Sequence, residues 1–186
     1  RFNPHSDVRL LYKDRYYSVD EFTYADSSFF NIFSFKLLKG NPDKVLTLPH
    51  SAVLSETTAQ KVFGEAEAMN QTITIDERDY KVTGIMADFP PQSHLQFDVL
   101  TSMNTVDNPQ VRLVERNGLS FPTYFLLKEN TETTRIINEF KEINREYMEE
   151  RFGGIGITVN STLQPVPNVY LHTTSDYQFF KTGSYE

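Results

Sequence analysis

Ala52-Val53-Leu54-Ser55-Glu56-Thr57-Thr58-Ala59-Gln60-Lys61-Val62-Phe63-Gly64 changes its hydrophobic period once, at Ser55. Before that point Ala52, Val53 and Leu54 form an unbroken apolar run, which predicts a brief buried strand. After it, Ala59, Val62 and Phe63 recur at helical spacing and make one apolar face. Ser55 is placed to accept from the free N–H groups of the first turn, with acidic Glu56 just inside it. Gly64 stands where a helix ends on a residue with positive φ. A strand, a cap, a helix and a stop in so short a stretch point to a fold that mixes strands and helices.

Outward from this unit the punctuation continues. Downstream, Thr72-Ile73-Thr74-Ile75 alternates polar and apolar residues, Asp76-Glu77-Arg78-Asp79 is polar, and Tyr80 to Met86 returns as a second strand. That pattern predicts a β-hairpin with a three- or four-residue loop, ended by Pro90-Pro91. Phe97 to Ser102 and Thr123 to Lys128 read as further strands. Upstream, Val8 to Tyr17 predicts two short strands around a Lys13-Asp14 turn, with Val19 to Tyr24 extended. Asp26 or Ser27 is placed to cap a short helix carrying Phe29, Phe30 and Phe33 and ending near Ser34. Gly40-Asn41-Pro42-Asp43 is a turn.

The longest predicted helix runs from a Thr131 cap to about Phe152, before Gly153-Gly154. Ile136, Phe140, Ile143 and Tyr147 form its apolar stripe, expected to be buried, while Glu139, Glu142 and Glu146 are expected in solvent. Ile155 to Val159 and Leu163 to Val166 read as late strands. The order is α+β, with mixed short sheets and two or three helices. The long polar stretch over 104–118 is the natural internal boundary.

With 186 residues the chain has room for one domain or two small lobes. Its 15 Phe and 10 Tyr supply bulk for a core. The net charge of −7, from 18 Lys+Arg against 25 Asp+Glu, argues against nucleic acid and anionic lipid headgroups as partners. The absence of cysteine excludes disulfides, thiol nucleophiles and thiolate metal sites. No apolar run approaches the roughly 20 residues that span a bilayer. The chain opens at Arg1, without Met or a signal-peptide pattern, so its start is expected to be a boundary within a longer protein or a processing point.

Motifs that carry chemistry are missing. His5, His50, His94 and His172 lack the spacing of a metal site. His94 stands out for its turn-rich setting, Pro90-Pro91-Gln92-Ser93. Ser55 lies on no nucleophile elbow and is accounted for as a cap. Asp76, Glu77 and Asp79 occupy a hairpin tip without the spacing of a calcium loop, and Glu146, Glu149 and Glu150 a solvated helix face. No glycine pattern cradles a nucleotide. Asn70-Gln71-Thr72 and Asn160-Ser161-Thr162 match a glycosylation triplet that also arises by chance. No catalytic, cofactor-binding or metal-ligating residue is therefore nominated, no cofactor is expected, and the partner-binding residues are unknown. The aromatics Phe29, Phe30, Phe33 and Phe35 are expected in a core. Tyr177, Phe179, Phe180 and Tyr185 are placed to pack on segments beyond this chain.

Several phrases resemble one family. Tyr24 to Phe35 (YADSSFFNIFSF), Leu37 to Pro42 (LLKGNP), Ala52 to Gly64, Tyr80 to Asp98 (YKVTGIMADFPPQSHLQFD) and Leu163 to His172 (LQPVPNVYLH) are similar, in that order, to segments of MacB-like periplasmic core domains of MacB/FtsX-type ABC transporter permeases. The resemblance covers residues 24–172 and is weaker over 1–20 and 105–120. It implies a two-lobed domain between two transmembrane helices. One lobe, βαβ-like and membrane-proximal, would be built from 1–26 and 106–186. The other, distal and inserted, would be 27–105. Both chain ends would then sit in the proximal lobe. The resemblance further implies no enzymatic activity, and a role in passing ATP-driven conformational change to periplasmic substrates or partners. Its implied partners are the transmembrane helices of the same permease, a cytoplasmic ABC ATPase subunit, a second permease copy or half, and a periplasmic partner protein, at the periplasmic side of the bacterial inner membrane. The alternatives from other classes are a free periplasmic module binding a glycan or peptide in an aromatic-lined cleft and, more remote, an acidic-pair hydrolase.

Overall fold

A computed structural model of the chain describes residues 2–106, 122–152 and 162–169. The described residues fall into two compact units, one running through Phe125 and the other from Leu126.

The first unit opens with a hairpin of β1 (Phe2–Tyr12) and β2 (Arg15–Ala25). Its turn is Lys13-Asp14, with φ of 46° and 62°. Two successive positive φ values match the twist of the flanking strands and permit so tight a loop. Both strands are longer than the sequence pattern predicts; in β2 the second half is buried on both faces and so shows no alternation. A single helical turn, α1 (Phe29–Ile32), follows, then β3 (Leu37–Lys39), β4 (Ser51–Ser55), α2 (Glu56–Phe63), β5 (Thr72–Ile75), β6 (Arg78–Met86) and β7 (Val99–Ser102).

The seven described strands share one mixed sheet in the order β3-β6-β4-β7-β2-β1-β5. β2 runs parallel to β7, β4 parallel to β6, and the other neighbours are antiparallel. β5 bonds both β1, through Leu10↔Ile75 and Leu11↔Thr74, and β6, through Thr72↔Lys81 to Ile75↔Arg78. The sheet thus curls until the ring β6-β4-β7-β2-β1-β5 closes, which continued strand twist makes possible and which leaves few unpaired edges.

β4 sits in the middle with every residue buried. Ala52 and Leu54 join a cluster with Leu10, Phe22, Ile73, Tyr80 and the Ala59, Val62 and Phe63 face of α2. Val53 faces the opposite cluster, with Phe29, Leu46, Met86, Leu95, Phe97 and Leu100. Burial on both faces explains the unbroken apolar run. The Ser55 cap forms as expected: its side chain accepts from Thr58 N–H at 3.2 Å, and Gly64 closes α2 at φ 60°.

Several expectations are corrected. The N-cap of α1 is Ser28, without a side-chain bond. Asp26 contributes its backbone carbonyl to Phe29 N–H, at 3.0 Å. The β5–β6 loop is only Asp76-Glu77, both at positive φ, because Asp79 joins the ladder and its carboxylate accepts from the Thr74 hydroxyl at 2.7 Å. The strand near 97–102 begins at Val99, and Thr123 to Lys128 is not a strand. Leu163 to Val166 is not a strand either: a 3-10 turn, Val166–Asn168, is capped by Pro165 and contains Pro167, and the missing N–H groups of these prolines cannot feed a ladder. The strand expected over 155–159 lies outside the described residues.

In the second unit, α3 (Thr133–Phe152) bears out the long helix, two residues later than expected. Thr131 lies in the preceding turn and its hydroxyl donates to the Lys128 carbonyl at 2.6 Å. Glu139, Glu142 and Glu146 are exposed as expected. The stripe is not buried throughout: Ile136 and Phe140 are half-buried, while Ile143 is 60% exposed. The side chain of Tyr147 is not among those described. No described residue from Leu126 onward is buried, so an apolar stripe there has no described core to rest on.

The lobe boundary expected at 26/27 falls inside the sheet. β2 pairs with β7 from Phe22↔Val99 to Ala25↔Ser102, so residues 2–25 and 37–102 build one structure. The first unit continues through Phe125, past the expected break at 105. The proposed grouping of the two chain ends rests largely on residues outside those described.

Candidate functional site

Polar side chains meet at several places in the first unit, and two of these are candidates for a site. The first is centred on His94. Pro90-Pro91 and the Ser93 turn, with Ser93 N–H bonded to the Pro90 carbonyl at 2.9 Å, fold the imidazole inward until the residue is 7% exposed. Its Nε2 lies 2.9 Å from the Tyr124 hydroxyl. Tyr124 also meets Phe33 edge-on at 5.1 Å, on an aromatic cluster in which Phe29 contacts Phe30, Phe33, Phe35 and Phe97. The core reading of these phenylalanines therefore holds. Tyr177, Phe179, Phe180 and Tyr185 lie outside the described residues.

Burial pushes the His94 imidazole below its ordinary value of 6.5 and the Tyr124 phenol above its ordinary value of 10. Both groups are thus neutral near pH 7, and their hydrogen bond is a clasp between uncharged partners. A depressed folded-state pKa on a base means that the unfolded chain binds the proton first as pH falls. The contribution of His94 to stability is then complete above about pH 6.5 and is lost progressively on acidification below it. The melting temperature is expected to fall between about pH 7 and pH 5, and more steeply in the native chain than in His94→Gln. Thermal unfolding at matched ionic strength checks this, and equal slopes in the two proteins would exclude His94 as the group responsible.

The second place is a shallow cleft of about 290 Å³ between the 41–50 loop and the facing ends of β4 and β6. Lys44, His50 and Lys81 line it beside Leu48 and Met69. His50 and Asn70 hold φ of 58° and 65°, fixed by backbone bonds: His50 N–H to Thr105 Oγ1, Lys81 N–H to the His50 carbonyl, and Asn70 N–H to the Val82 carbonyl, each at 2.8 Å. Sequence reasoning missed this cleft. Lys44 and Lys81 are far apart in sequence, and their proximity follows only from the pairing of β4 with β6.

The remaining sequence-marked residues are not brought together. His5 lies on β1, and His172 lies outside the described residues. Ser55 Oγ donates to Thr58 Oγ1 at 2.9 Å, in keeping with a cap. Among the described residues no three His, Asp or Glu side chains converge as a metal ion requires, and no helix is long and apolar enough to cross a membrane.

The curled mixed sheet, with α2 on one core and the aromatic cluster in the other, defines an α+β domain without a described catalytic constellation. Solved domains of permeases share this fold. A domain assigned to a permease protein of Porphyromonas gingivalis superposes with a TM-score of 0.61 at 16% identity, over 81% of this chain and 70% of that one. The periplasmic region of MacB from Actinobacillus actinomycetemcomitans gives 0.54 at 14% identity, over 78% and 65%. The extracellular domain of the noncanonic ABC-type transporter YknZ from Gram-positive bacteria gives 0.51 at 11% identity, over 81% and 75%. Residues 6–143 match the family described as the MacB-like periplasmic core domain, and the chain belongs to that family. It is homologous to the periplasmic or extracellular domains of MacB/FtsX-like ABC transporter permeases, a generally non-catalytic family set in a membrane-embedded transporter. No match is found among curated proteins.

Proposed function

We propose that this domain is the extracytoplasmic part of an ABC permease and carries ATP-driven conformational change to substrates or partners outside the membrane. The family match over residues 6–143 is the observation that carries this reading. The working partners are the transmembrane helices of the same permease, a cytoplasmic ATPase subunit, a second permease copy or half and a periplasmic protein, with the domain on the periplasmic side of the inner membrane. A closed, doubly packed sheet suits such a role, since well-packed interiors deform little and pass displacement on as rigid bodies.

The chain has no cysteine, so within this domain a label attaches only where a cysteine is introduced. In the complete permease with its ATPase, reconstituted in lipid, spin labels at Gln60→Cys on α2 and Lys141→Cys on α3 report the distance between the two units. Both positions are exposed. The distance distribution is expected to differ between the nucleotide-free and ATP-bound states. Identical distributions in a preparation that still hydrolyses ATP would remove the transmission reading.

A further inference from the structure

The cleft beside β4 and β6 has a charge character opposite to that of the chain. The protein carries 25 Asp+Glu against 18 Lys+Arg, yet no acidic residue lines this cleft, while two lysines and a histidine do. The described ion pairs are Lys39–Glu67, Arg135–Glu139 and Arg145–Glu142, so among the described residues Lys44 and Lys81 have no carboxylate partner. An independent observation points the same way. Ser51 also lines the cleft and is only 3% exposed, yet among the described residues its hydroxyl has no hydrogen-bond partner. The fully enclosed side-chain oxygen without a partner among the described residues is that of Thr23, so the unbonded Ser51 hydroxyl keeps some access and is available to a ligand in the cleft. Beside these groups stands an apolar wall that includes Leu48, 69% exposed.

We infer that this cleft binds a carboxylate carried on a short apolar group. The Lys44 and Lys81 ammonium groups supply charge-assisted hydrogen bonds to the two oxygens, the Ser51 hydroxyl adds a neutral donor, and Leu48 and Met69 cover the aliphatic part. The floor is held in shape. Thr83 Oγ1 lies 2.6 Å from the Val45 carbonyl and 3.1 Å from that of Ala52, and hydrogen bonds to Thr105, Lys81 and Val82 fix the backbone of His50 and Asn70. A volume of about 290 Å³ lies at the lower bound for whole small-molecule sites, so the occupant is a small branched acid or the carboxyl end of a peptide. Carboxylate binding in this cleft does not depend on force transmission and stands or falls separately from it.

The test titrates the isotope-labelled chain with N-acetyl-dileucine as the free acid, with its C-terminal amide, and with isocaproate, following amide chemical shifts. The free acid is expected to move resonances of 44–51, 69–70 and 81–83, with binding in the millimolar range or tighter. The amide is expected to bind at least about tenfold more weakly, as is the free acid to a Lys44→Gln/Lys81→Gln variant, both of whose substitutions are on exposed side chains. Tighter binding of the dipeptide than of isocaproate identifies a peptide end as the natural ligand; equal binding identifies a free acid; either keeps the carboxylate assignment. Equal affinity for acid and amide, an unaffected double variant, or no shifts at about 10 mM ligand overturns it.

Discussion

Phe29→Ala is expected to cost about 3–5 kcal/mol, a large share of the stability of a domain this size. Phe29 is 2% exposed, and its ring meets those of Phe30 at 4.9 Å, Phe33 at 5.2 Å, Phe35 at 5.9 Å and Phe97 at 6.2 Å. α1 is a single turn without a side-chain cap, so little local energy holds it and the buried ring is its main anchor. Truncation removes the transfer free energy of the ring and leaves a cavity among rigid neighbours that cannot collapse to fill it. Phe30→Ala, at a half-buried position, serves as the comparison and is expected to cost distinctly less. Urea unfolding measures both. A loss below about 1 kcal/mol for Phe29→Ala would show that the aromatic cluster repacks around the missing ring instead of holding a cavity.

Gly40→Ala is expected to cost about 2–4 kcal/mol, for two reasons that add. At φ +107° an L side chain is strained whatever the space around it. The new Cβ would also lie 2.7 Å from the Thr83 carbonyl oxygen and 2.7 Å from Val45 Cγ1. The oxygen is backbone, on Thr83, the residue skipped in the β4–β6 register between Val82 and Gly84, so relieving the contact has to move backbone and not the tip of a flexible side chain. Gly64→Ala separates the two effects. Gly64 also has positive φ, of 60°, but nothing lies within 4 Å of its added Cβ, so only the conformational cost of about 1 kcal/mol is expected. Equal losses at the two glycines in urea unfolding would mean that the steric contact at Gly40 is relieved by small shifts.

The local pieces were largely legible because their signals are local. The Ser55 cap, the 56–63 helix and its Gly64 stop depend on residues within one or two turns. So does the long helix to Phe152, whose period of 3.6 persists over many residues. Failures cluster where a neighbour outside the window decided. Thr123 to Lys128 has the composition of a strand, but no described strand pairs with it, and Leu126 is 72% exposed. Arg78 and Asp79 read as loop because they are charged; Ile75 and Thr74 on β5 recruit them into the ladder.

What the sequence determined by itself is the class of fold, the order of the elements from β4 to β6 and, through its ordered phrases, the family. The charge balance and missing motifs also argued against most chemistries. Tertiary structure alone decided how the strands join. The parallel pairing of β2 with β7 spans more than seventy residues of sequence and merges the amino-terminal hairpin with the segment expected to form a separate lobe. The bonds from β5 to both β1 and β6 close the ring, which no window of sequence encodes. The pairing of β4 with β6 sets Lys81 opposite Ser51 and so builds the basic cleft. The physical reason is common to all three. Backbone hydrogen bonding between strands is blind to side-chain identity, so partner choice follows from which apolar faces can be buried together, and that is a property of the whole chain.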